Sequence, residues 1–447
     1  MASTYLNRSA VTGNRRTFTI SAWVKRSELG TEQQIYSSRS SASNVLGLYF
    51  QGSNDTLLVT DYQSGGTMSF TTSAVYRDVS AWYHIVLEVD TTQATDTNRV
   101  KLYVNGEQAT FSASSYPTLN RDLYINVSGS NHYIGTEQSG RYFNGSMTHI
   151  HFIDGTAYDA SAFGETNAAS GIWTPLASPS VTYGNNGFFL KFASSGALGT
   201  DSSGNSNTFT VNGSGTQTQD APSNVFATLN SLIVSGSPTY ANGNTTVATI
   251  GDNDSVVSTF GVSNMKYYYE AKLLQTYDGS GGGINVGGLR EEQFNASGFN
   301  SGSFSGFSNA YTKFYGNGGD GRFKEGGGTV VTSGLTRAVA GDIVMIAIDP
   351  ANNRVYAGVN GIWLNSSDPV AGTGYIGGTQ ATGTGNWFAF ISSDLDKGNC
   401  NANFGNGFFG TTAVASGNAD GAGYGIFEYA PPTGYYSLCT KNINTYG

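Results

Sequence analysis

The sequence contains few charged side chains. Only 12% of its 447 residues are Asp, Glu, Lys or Arg, and the formal net charge is −9. Binding to nucleic acid needs clustered lysines and arginines that neutralise phosphates. The most basic stretch, residues 8–26, spreads its cations over strand-like segments, which is typical of solvated strand edges. We therefore expect no nucleic-acid partner.

Cysteines and long apolar runs are also scarce. Two cysteines, Cys400 and Cys439, are too few for a disulfide scaffold, and domains of this size do not need one. We expect free thiols, with a pairing of the two as the alternative. No apolar run approaches the ~18 residues of a membrane span, and the first residues lack the apolar region of a signal peptide. We expect no membrane insertion.

Helical periodicity is nearly absent, and the pattern that replaces it is typical of β-structure. The chain has 61 glycines, and aromatic residues make up 13% of it. Residues 17–25 alternate apolar and polar positions, which indicates a half-buried strand. Similar short runs recur at regular spacing between turn signals, and this spacing predicts antiparallel sandwiches. We therefore assign the chain to the all-β class.

One hairpin pattern occurs twice, about 250 residues apart. Residues 82–90 and 342–349 are apolar runs, and each is followed by a polar loop and an alternating strand. The alternating strands end in Asn105-Gly106 and Asn360-Gly361. Asn-Gly tolerates positive φ at both central positions, so it fits a two-residue type I′ turn. The repetition predicts two β-sandwiches in tandem.

The domain organisation follows from this repetition and from composition. We place the first sandwich at residues 1–215, a linker rich in Ser, Gly, Asn and Thr at 216–231, and the second sandwich at 232–447. Residues 208–211 are strand-like and are expected to close the first sandwich. The stretch 279–328 is rich in Gly, Phe and Tyr and is expected to form long surface loops.

Each half resembles a known family. Segments 18–25 (Phe-Thr-Ile-Ser-Ala-Trp-Val-Lys), 82–86 and 100–106 make residues 1–215 similar to a concanavalin A-like, laminin G-type jelly roll. Residues 232–447 resemble a SPRY domain, on a further set of segments. These are 266–271, 341–349, 355–363 and 400–405 (Cys-Asn-Ala-Asn-Phe-Gly). Both resemblances imply two-sheet antiparallel sandwiches.

The whole arrangement is similar to virion structural proteins of marine tailed bacteriophages. The resemblance depends on the order and spacing of a few strings, and it covers nearly the full chain. They are 5–9 with 21–27, 198–211 running on to 221–230, and 430–443 (Ala-Pro-Pro-Thr-Gly-Tyr-Tyr-Ser-Leu-Cys-Thr-Lys-Asn-Ile). Such proteins are known mainly as particle components. The resemblance therefore implies a location, the virion, more firmly than a ligand.

The sequence offers no convincing catalytic set. Glycoside hydrolysis with retention needs two carboxylates about 5 Å apart. The Glu-x-Asp-x-x-Glu pattern of concanavalin A-like hydrolases is absent, and the nearest substitute is Glu88-Val-Asp90 at a strand end. A Ser-His-Asp set and a phosphate-binding loop cannot be placed either. We expect no catalytic residues, and so not an enzyme.

The sequence also contains little indication of a metal site. His149 and His151 are two apart, so a regular strand would point them the same way, but no Cys or acid has ligand spacing around them. Asp252-Asn253-Asp254 offers oxygen ligands in a turn, although it lacks the length and terminal acid of an EF-hand loop. Turn formation explains it equally well. We expect no cofactor and no metal site, with calcium as the open alternative.

Candidate ligand-binding residues are aromatic side chains in Gly-rich loops of the second sandwich. Tyr311 and Tyr375 lie in such loops, and Trp363 follows the Asn360-Gly361 turn. Each offers a ring face for stacking on a neutral sugar, which would depend little on salt. For Trp363 the alternative is packing at the rim of its own hairpin. Trp23, Tyr83 and Trp387 lie inside strand patterns and are expected in cores.

These observations favour recognition over catalysis. The expected function is a phage structural protein exposed on the particle, as a tail fibre, spike or capsid decoration. Its partners would be other virion proteins, further copies of itself with a trimer favoured, and host glycans. The homo-oligomer follows from a low-charge surface rich in Gly, Tyr and Phe, which would leave apolar patches on a monomer. The alternatives are an extracellular lectin-like adhesin and a glycan-active enzyme.

Overall fold

The chain folds into two compact units, Met1–Gln217 and Thr218–Gly447. The structure is a computed structural model that describes residues 4–63, 66–138, 140–168, 170–248, 254–275, 283–294, 311–317, 320–325, 329–377, 385–394 and 399–447. Each unit is a β-sandwich of almost entirely antiparallel strands, which confirms the all-β prediction. In the described part, α1 (Thr440–Tyr446) is the one α-helix. No described helix is long and apolar enough to span a membrane.

The first unit contains two sheets, here named A and B, and a small ribbon. Its strands in chain order are β1 (Tyr5–Ser9), β2 (Thr17–Arg26), β3 (Gln33–Ser41), β4 (Asn44–Phe50), β5 (Thr56–Gln63), β6 (Gly66–Val75), β7 (Tyr83–Asp90), β8 (Val100–Val104), β9 (Glu107–Gln108), β10 (Phe111–Ser115), β11 (Asn131–Ile134), β12 (Gly145–Asp154), β13 (Gly164–Thr166), β14 (Trp173–Pro175), β15 (Phe188–Leu190) and β16 (Thr210–Asn212). Sheet A has the order β10-β6-β5-β4-β3-β11-β1-β16 and sheet B the order β15-β12-β2-β7-β8-β9. β13 pairs with β14 in the ribbon.

The core of the first unit lies between sheets A and B. One row of cross-strand partners on sheet A faces inward and is fully or almost fully buried: Leu6, Ile134, Tyr36, Leu48, Val59 and Phe70. From sheet B, Phe18, Ile20 and Val24 of β2 enter the same core. β16 closes sheet A against β1, and Phe209 beside it is buried, as expected for residues 208–211.

Sheet B is buried on both faces, which the alternation in β2 does not predict. Thr19, Ser21 and Trp23 alternate with the core residues, yet their exposed fractions are only 0%, 0% and 2%. The outer face is covered by a second cluster that includes Phe163 and Trp173 from the segment after β12. A strand in the middle of a covered sheet keeps its period of two and still hides both sets of side chains.

The repeated hairpins have the same geometry in both units. Asn105 and Gly106 have φ of 51° and 88°, and Asn360 and Gly361 have 49° and 86°, as the type I′ turn requires. Each asparagine also accepts a hydrogen bond at its Oδ1 from the start of the preceding strand: from the His84 N–H at 2.8 Å and from the Ile343 N–H at 2.9 Å. The pattern is therefore a structural repeat as well as a sequence repeat.

The second unit contains sheets C and D and another small ribbon. Its strands are β17 (Leu229–Ser235), β18 (Thr239–Ala241), β19 (Thr246–Ala248), β20 (Ser255–Val262), β21 (Tyr267–Leu273), β22 (Gly283–Arg290), β23 (Tyr311–Asn317), β24 (Asp320–Glu325), β25 (Thr329–Leu335), β26 (Ile343–Asp349), β27 (Arg354–Val359), β28 (Ile362–Trp363), β29 (Ile376–Gly377), β30 (Trp387–Asp394), β31 (Cys400–Asn403), β32 (Phe408–Phe409), β33 (Thr412–Ala413) and β34 (Tyr436–Ser437). Sheet C has the order β17-β20-β30-β22-β23-β24-β25. Sheet D has the order β18-β19-β31-β21-β26-β27-β28, with β29 on β27 and β34 on β21.

The consecutive tyrosines of β21 divide between two packed layers. Tyr267 and Tyr269 enter the core between sheets C and D, while Tyr268 points to the other side of sheet D. There it packs in an outer cluster with Phe427 and Tyr435. Sheet D, like sheet B, is therefore partly covered on its outer face.

Two expectations about organisation need correction or refinement. The predicted linker at 216–231 belongs to the second unit from Thr218 onward, because Phe226 and Leu229 are 1% and 0% exposed and Leu229 is part of its core. The expected loops at 279–328 contain β22, β23 and β24 in their described parts. The expectation of free thiols is confirmed, since Cys400 and Cys439 are both buried and free.

Candidate functional site

The acidic pair at the end of β7 is occupied by local contacts. Glu88 accepts hydrogen bonds from Lys101 Nζ at 3.0 Å and from the Tyr103 hydroxyl at 2.9 Å, both on the neighbouring strand β8. Asp90 caps the turn that follows, with Thr92 donating from its backbone N–H and its hydroxyl. The geometry gives both carboxylates structural partners. That the protein is not an enzyme stays a prediction.

His84 lies in an aromatic stack on the outer face of sheet B. Its ring is parallel to Trp23 at 4.7 Å, and Trp173 Nε1 donates to His84 Nδ1 at 2.9 Å. Because Nδ1 accepts, Nε2 carries the proton and donates to Ser21 Oγ at 2.9 Å. Burial lowers the pKa of His84 to about 3, so the ring is neutral and fully engaged.

The histidines of β12 do not form a metal site. The strand has an irregularity between Thr148 and His151, and His149 has a φ of 46°, so simple alternation does not set their directions. His151 stacks on Phe189 at 3.9 Å, and its Nδ1 lies 2.9 Å from the Tyr183 hydroxyl. Among the described residues, no group of His, Cys, Asp and Glu is arranged to hold a metal ion. Of the candidate calcium turn, Asp252 and Asn253 lie outside the described residues.

The predicted aromatic residues of the second unit are not in equivalent settings. Tyr311 begins strand β23 and pairs with Leu289, so it is not in a loop; its side chain lies outside the described part. Trp363 is half-buried and packs edge-on against Tyr268 at 6.5 Å, within the outer cluster of sheet D. The contact supports the rim-packing interpretation for Trp363.

Tyr375 remains the most accessible of the predicted aromatic residues whose side chains are described. It precedes β29 and is 37% exposed. The guanidinium of Arg354 lies over its ring at 4.6 Å, and the ring of Tyr356 meets it edge-on at 6.3 Å. The sequence analysis did not select Arg354, because a lone arginine after a turn carries no pattern.

A second candidate surface is the outward face of sheet A, which the sequence analysis missed. Side chains opposite in an antiparallel pair share a face and side chains alternate along a strand, so the residues on either side of the inward row in each strand are the outward positions. They are Tyr5, Asn7, Ser9, Asn131, Tyr133, Ser37, Arg39, Val45, Gly47, Tyr49, Leu58, Thr60, Tyr62, Ser69 and Thr71. The described outward positions include no Asp or Glu. The sequence did contain a sign of this face: the alternate residues Tyr5, Asn7 and Ser9 are aromatic or polar.

The outward face of sheet A combines tyrosine rings with amides and hydroxyls. Tyr62 is 54% exposed, and Tyr5 lies 6.3 Å from Tyr133 and 6.2 Å from Tyr142 between ring centroids. Asn131 donates to the Tyr133 hydroxyl at 3.1 Å and accepts from Ser9 Oγ at 2.8 Å. The polar groups are thus held in fixed orientations by their neighbours.

Gly47 makes a flat place on this face. A Cβ there would lie 3.0 Å from Gln34 Nε2 and 3.5 Å from Thr60 Oγ1. A side chain would therefore crowd its neighbours. Gly47 is itself buried, so it is a closely packed point of this face and not an opening to the backbone.

The charges at the rim of this face cancel. Arg39 and Arg141 both pair with Glu137, and Arg141 Nε also pairs with Glu32 Oε2 at 2.7 Å. The guanidinium of Arg141 covers Tyr49 at 4.9 Å. The described charges at the rim of this face are therefore balanced.

Comparison with known proteins agrees with the fold of the first unit. A family model described as the concanavalin A-like lectin/glucanases superfamily, of laminin G type, matches residues 2–161. The first unit is a concanavalin A-like, laminin G-type domain. The matched residues include most of sheets A and B of this laminin G-type domain. No curated protein sequence matches the chain.

Solved structures with similarity to the chain are distant. A heptameric SAP-like pentraxin from Limulus polyphemus has 15% identity and a TM-score of 0.27 over 35% of this chain and 72% of its own. The SPRY domain of human HERC1 has 13% identity and a TM-score of 0.28 over 39% of this chain and 93% of its own. Domain 4 of an arabinanase from Geobacillus stearothermophilus, solved with arabinotriose, has 17% identity and a TM-score of 0.26 over 33% and 64%.

Proposed function

We propose that the protein is a non-catalytic recognition protein that binds neutral glycans through the outward face of sheet A. The observation that carries the proposal is the composition of that face: an exposed Tyr62 and the at least partly exposed amides and hydroxyls of Asn7, Ser9, Asn131 and Thr60, without an Asp or Glu at the described outward positions. Sugars present apolar C–H faces and hydroxyl edges, which match tyrosine rings and amides respectively.

The absence of acids on this face also bears on the rival function. A retaining glycosidase needs two carboxylates about 5 Å apart beside the bound sugar. The acids near the face, Glu32 and Glu137, are at its rim and paired with arginines. Bound sugar would meet amides and hydroxyls there. The arrangement supports binding without hydrolysis.

The setting in which binding takes place is part of the proposal. We propose that the chain is a component of a tailed-phage particle, exposed as a fibre, spike or decoration, where it contacts other virion proteins and further copies of itself. The support is the resemblance of the ordered strings at 5–27, 198–230 and 430–443 to such proteins. Light scattering on the purified chain tests self-association, and a soluble monomer that is also missing from purified particles contradicts this part.

The binding proposal is tested by a glycan array probed with the intact chain and with variants of sheet A. Tyr62→Ala removes the exposed ring and is expected to weaken binding of the best neutral glycan at least about fivefold, or ~1 kcal/mol. Gly47→Ala is expected to weaken it further because the methyl group crowds Gln34. Leu119→Ala, at a residue 52% exposed and outside sheet A, is the matched control.

The alternatives are distinguished by the same preparation. If neither Tyr62→Ala nor Gly47→Ala changes binding while thermal unfolding is unaltered, the outward face of sheet A is only a solvated sheet surface. Release of reducing ends from any bound glycan would contradict the non-catalytic part. In that case Glu88→Gln shows whether the β7 carboxylate is responsible.

A further inference from the structure

The outer face of sheet D has a row of charged side chains with one surplus cation. Asp349 of β26 is the direct cross-strand partner of Arg354 of β27, and Lys266 immediately precedes the neighbouring strand β21. The carboxylate of Asp349 is nevertheless committed elsewhere: Oδ2 pairs with Lys266 Nζ at 3.0 Å, and Oδ1 accepts from the Asn352 N–H at 3.2 Å. Arg354 has no ion pair with any described residue.

Arg354 is held in place although no described residue serves as its counter-ion. Its guanidinium is stacked over Tyr375 at 4.6 Å and rests against Gly372, where a Cβ would lie 2.6 Å from Nη1. Gly372 has a φ of 74°, so both its conformation and this contact favour glycine. A guanidinium has five N–H donors in a planar fork that matches a carboxylate. Arg354 therefore presents a positioned fork that no carboxylate of the described residues occupies.

A buried hydroxyl lies beside this fork. The Tyr356 side chain is 0% exposed, and its hydroxyl makes no hydrogen bond of good geometry within the described part of the chain, although the Arg354 guanidinium and the Tyr435 hydroxyl both lie near it. The same Cβ position at Gly372 that is 2.6 Å from Arg354 Nη1 is 4.0 Å from the Tyr356 hydroxyl oxygen. A buried hydroxyl that lacks a hydrogen bond lowers the stability of the fold unless another group forms a hydrogen bond with it. The guanidinium and this hydroxyl converge on one place.

We propose that Arg354, Tyr356 and Tyr375 form a binding site for the carboxylate of an acidic saccharide, such as a hexuronic acid. Arg354 and the Tyr356 hydroxyl take the carboxylate, and Tyr375, with 37% of its surface exposed, contacts the sugar ring. The adjoining turn contributes Val370, which is 61% exposed and offers an apolar contact. Asp368 in that turn does not oppose binding directly, since its Oδ1 accepts from the backbone N–H of Val370 and Ala371.

The site differs in chemistry from the outward face of sheet A. The proposal for Arg354 therefore does not depend on glycan binding at sheet A. The face of sheet A is neutral, so its partner is a neutral glycan. The Arg354 site selects charge, so binding there weakens as salt screens the ion pair. This revises the expectation of salt-independent stacking on a neutral sugar for Tyr375.

Calorimetric titration of the intact chain tests the proposal with matched ligands. Trimers of galacturonic, glucuronic and mannuronic acid are compared with their methyl esters, which keep the rings and remove the charge. We expect at least one acid to bind tenfold or more tightly than its ester at 20 mM NaCl, and several-fold more weakly at 300 mM NaCl. Acetate, the carboxylate without a ring, should bind far more weakly.

Variants assign the effect to these residues. Arg354→Gln should abolish the preference for acid over ester, and Gly372→Ala should weaken acid binding because its methyl group displaces Nη1. The control is Lys441→Gln, at a cation that also lies over a tyrosine ring, 5.3 Å from Tyr424. Thermal unfolding of each variant shows that it is folded.

Other results overturn the proposal. They are equal affinity for acid and ester, absence of binding by every acid trimer, and an acid preference that survives Arg354→Gln. Acetate that binds as tightly as the trimers would also overturn it, because the saccharide would then contribute nothing.

Discussion

At the residue scale, the repeated Asn-Gly turns show two demands met by one glycine. Gly106 and Gly361 must adopt a φ near 87°, and each also lies under an aromatic ring. A Cβ at Gly106 would approach the ring of Trp173 to 2.9 Å, and one at Gly361 would approach Tyr429 to the same distance. The turn type was readable from the sequence. The ring above it was not, since Trp173 and Tyr429 come from distant segments.

These two demands predict unequal costs for glycine substitutions. Gly129→Ala, at a φ of 79° with nothing within 4 Å of its Cβ, should cost only the left-handed conformation, about 1–2 kcal/mol. Gly106→Ala, at a φ of 88°, adds the clash with Trp173 and should cost roughly a further 1–3 kcal/mol. Urea unfolding of the two variants measures the difference. Equal losses would mean that Trp173 moves aside without penalty.

At the element scale, the sequence predicted strands and hairpins well because period-two alternation and Asn-Gly turns are local signals. It predicted the covering of sheets B and D poorly. Ser21 and Thr19 are polar, which usually marks a solvated face, yet both are 0% exposed. They can be buried because their hydroxyls are hydrogen-bonded: the Thr19 hydroxyl donates to the Thr156 carbonyl at 3.0 Å, and the Ser21 hydroxyl accepts from His84 Nε2. Such long-range hydrogen bonds have no trace in local pattern.

The candidate sites also divide into features that local sequence signals predict and features that depend on long-range contacts. Tyr375 is exposed beside a turn, as the sequence predicted, and its role in binding stays a prediction, whereas Tyr311 was wrongly placed in a loop. The Gly-rich composition around β23 led to the prediction of a loop, because glycine is usually depleted in strands. Arg354 and the outward face of sheet A depend on which strands are neighbours. Only the assembled sheets bring those residues together.

Strand β28 provides a test of whether Trp363 serves binding or packing. Trp363→Ala removes a half-buried ring from Tyr268 and its cluster, so the second unit should unfold at a lower temperature, with a loss of about 2 kcal/mol or more. Glycan and uronate binding should be unchanged. Ile362→Ala, the adjacent residue with 71% exposure, should affect neither property. A Trp363→Ala chain of normal stability and weakened binding would restore Trp363 as a ligand contact.

At the scale of the whole molecule, the stability of the two units is expected to respond to pH in opposite directions. All four histidines of the chain lie in the first unit. Burial lowers the pKa of His84 and of His132 to about 3, against about 6.5 when unfolded. In the second unit, burial raises the pKa of Glu270 to about 7, although four hydrogen bonds to its carboxylate favour the charged form.

Linkage converts these shifts into stability. Below pH 6.5 the unfolded first unit binds protons that the folded one excludes, so each buried histidine costs about 2 kcal/mol by pH 5. The folded second unit instead retains a proton on Glu270 up to pH 7, while the unfolded chain loses it above 4.5. Its stability is therefore fully present below pH 4.5 and is lost as the pH rises through 7. Between pH 7.5 and pH 5 it should gain roughly 2 kcal/mol.

Calorimetry of the intact chain at pH 7.5 and pH 5 should therefore show two transitions that move apart or cross. The transition of the first unit should fall on acidification and that of the second should rise. Gly106→Ala and Gly361→Ala assign them, because each lowers only the transition of its own unit. Glu270→Gln should remove the rise, since it leaves no group to titrate there. Two transitions that fall together would show that Glu270 is already ionised at pH 5, held so by its four donors.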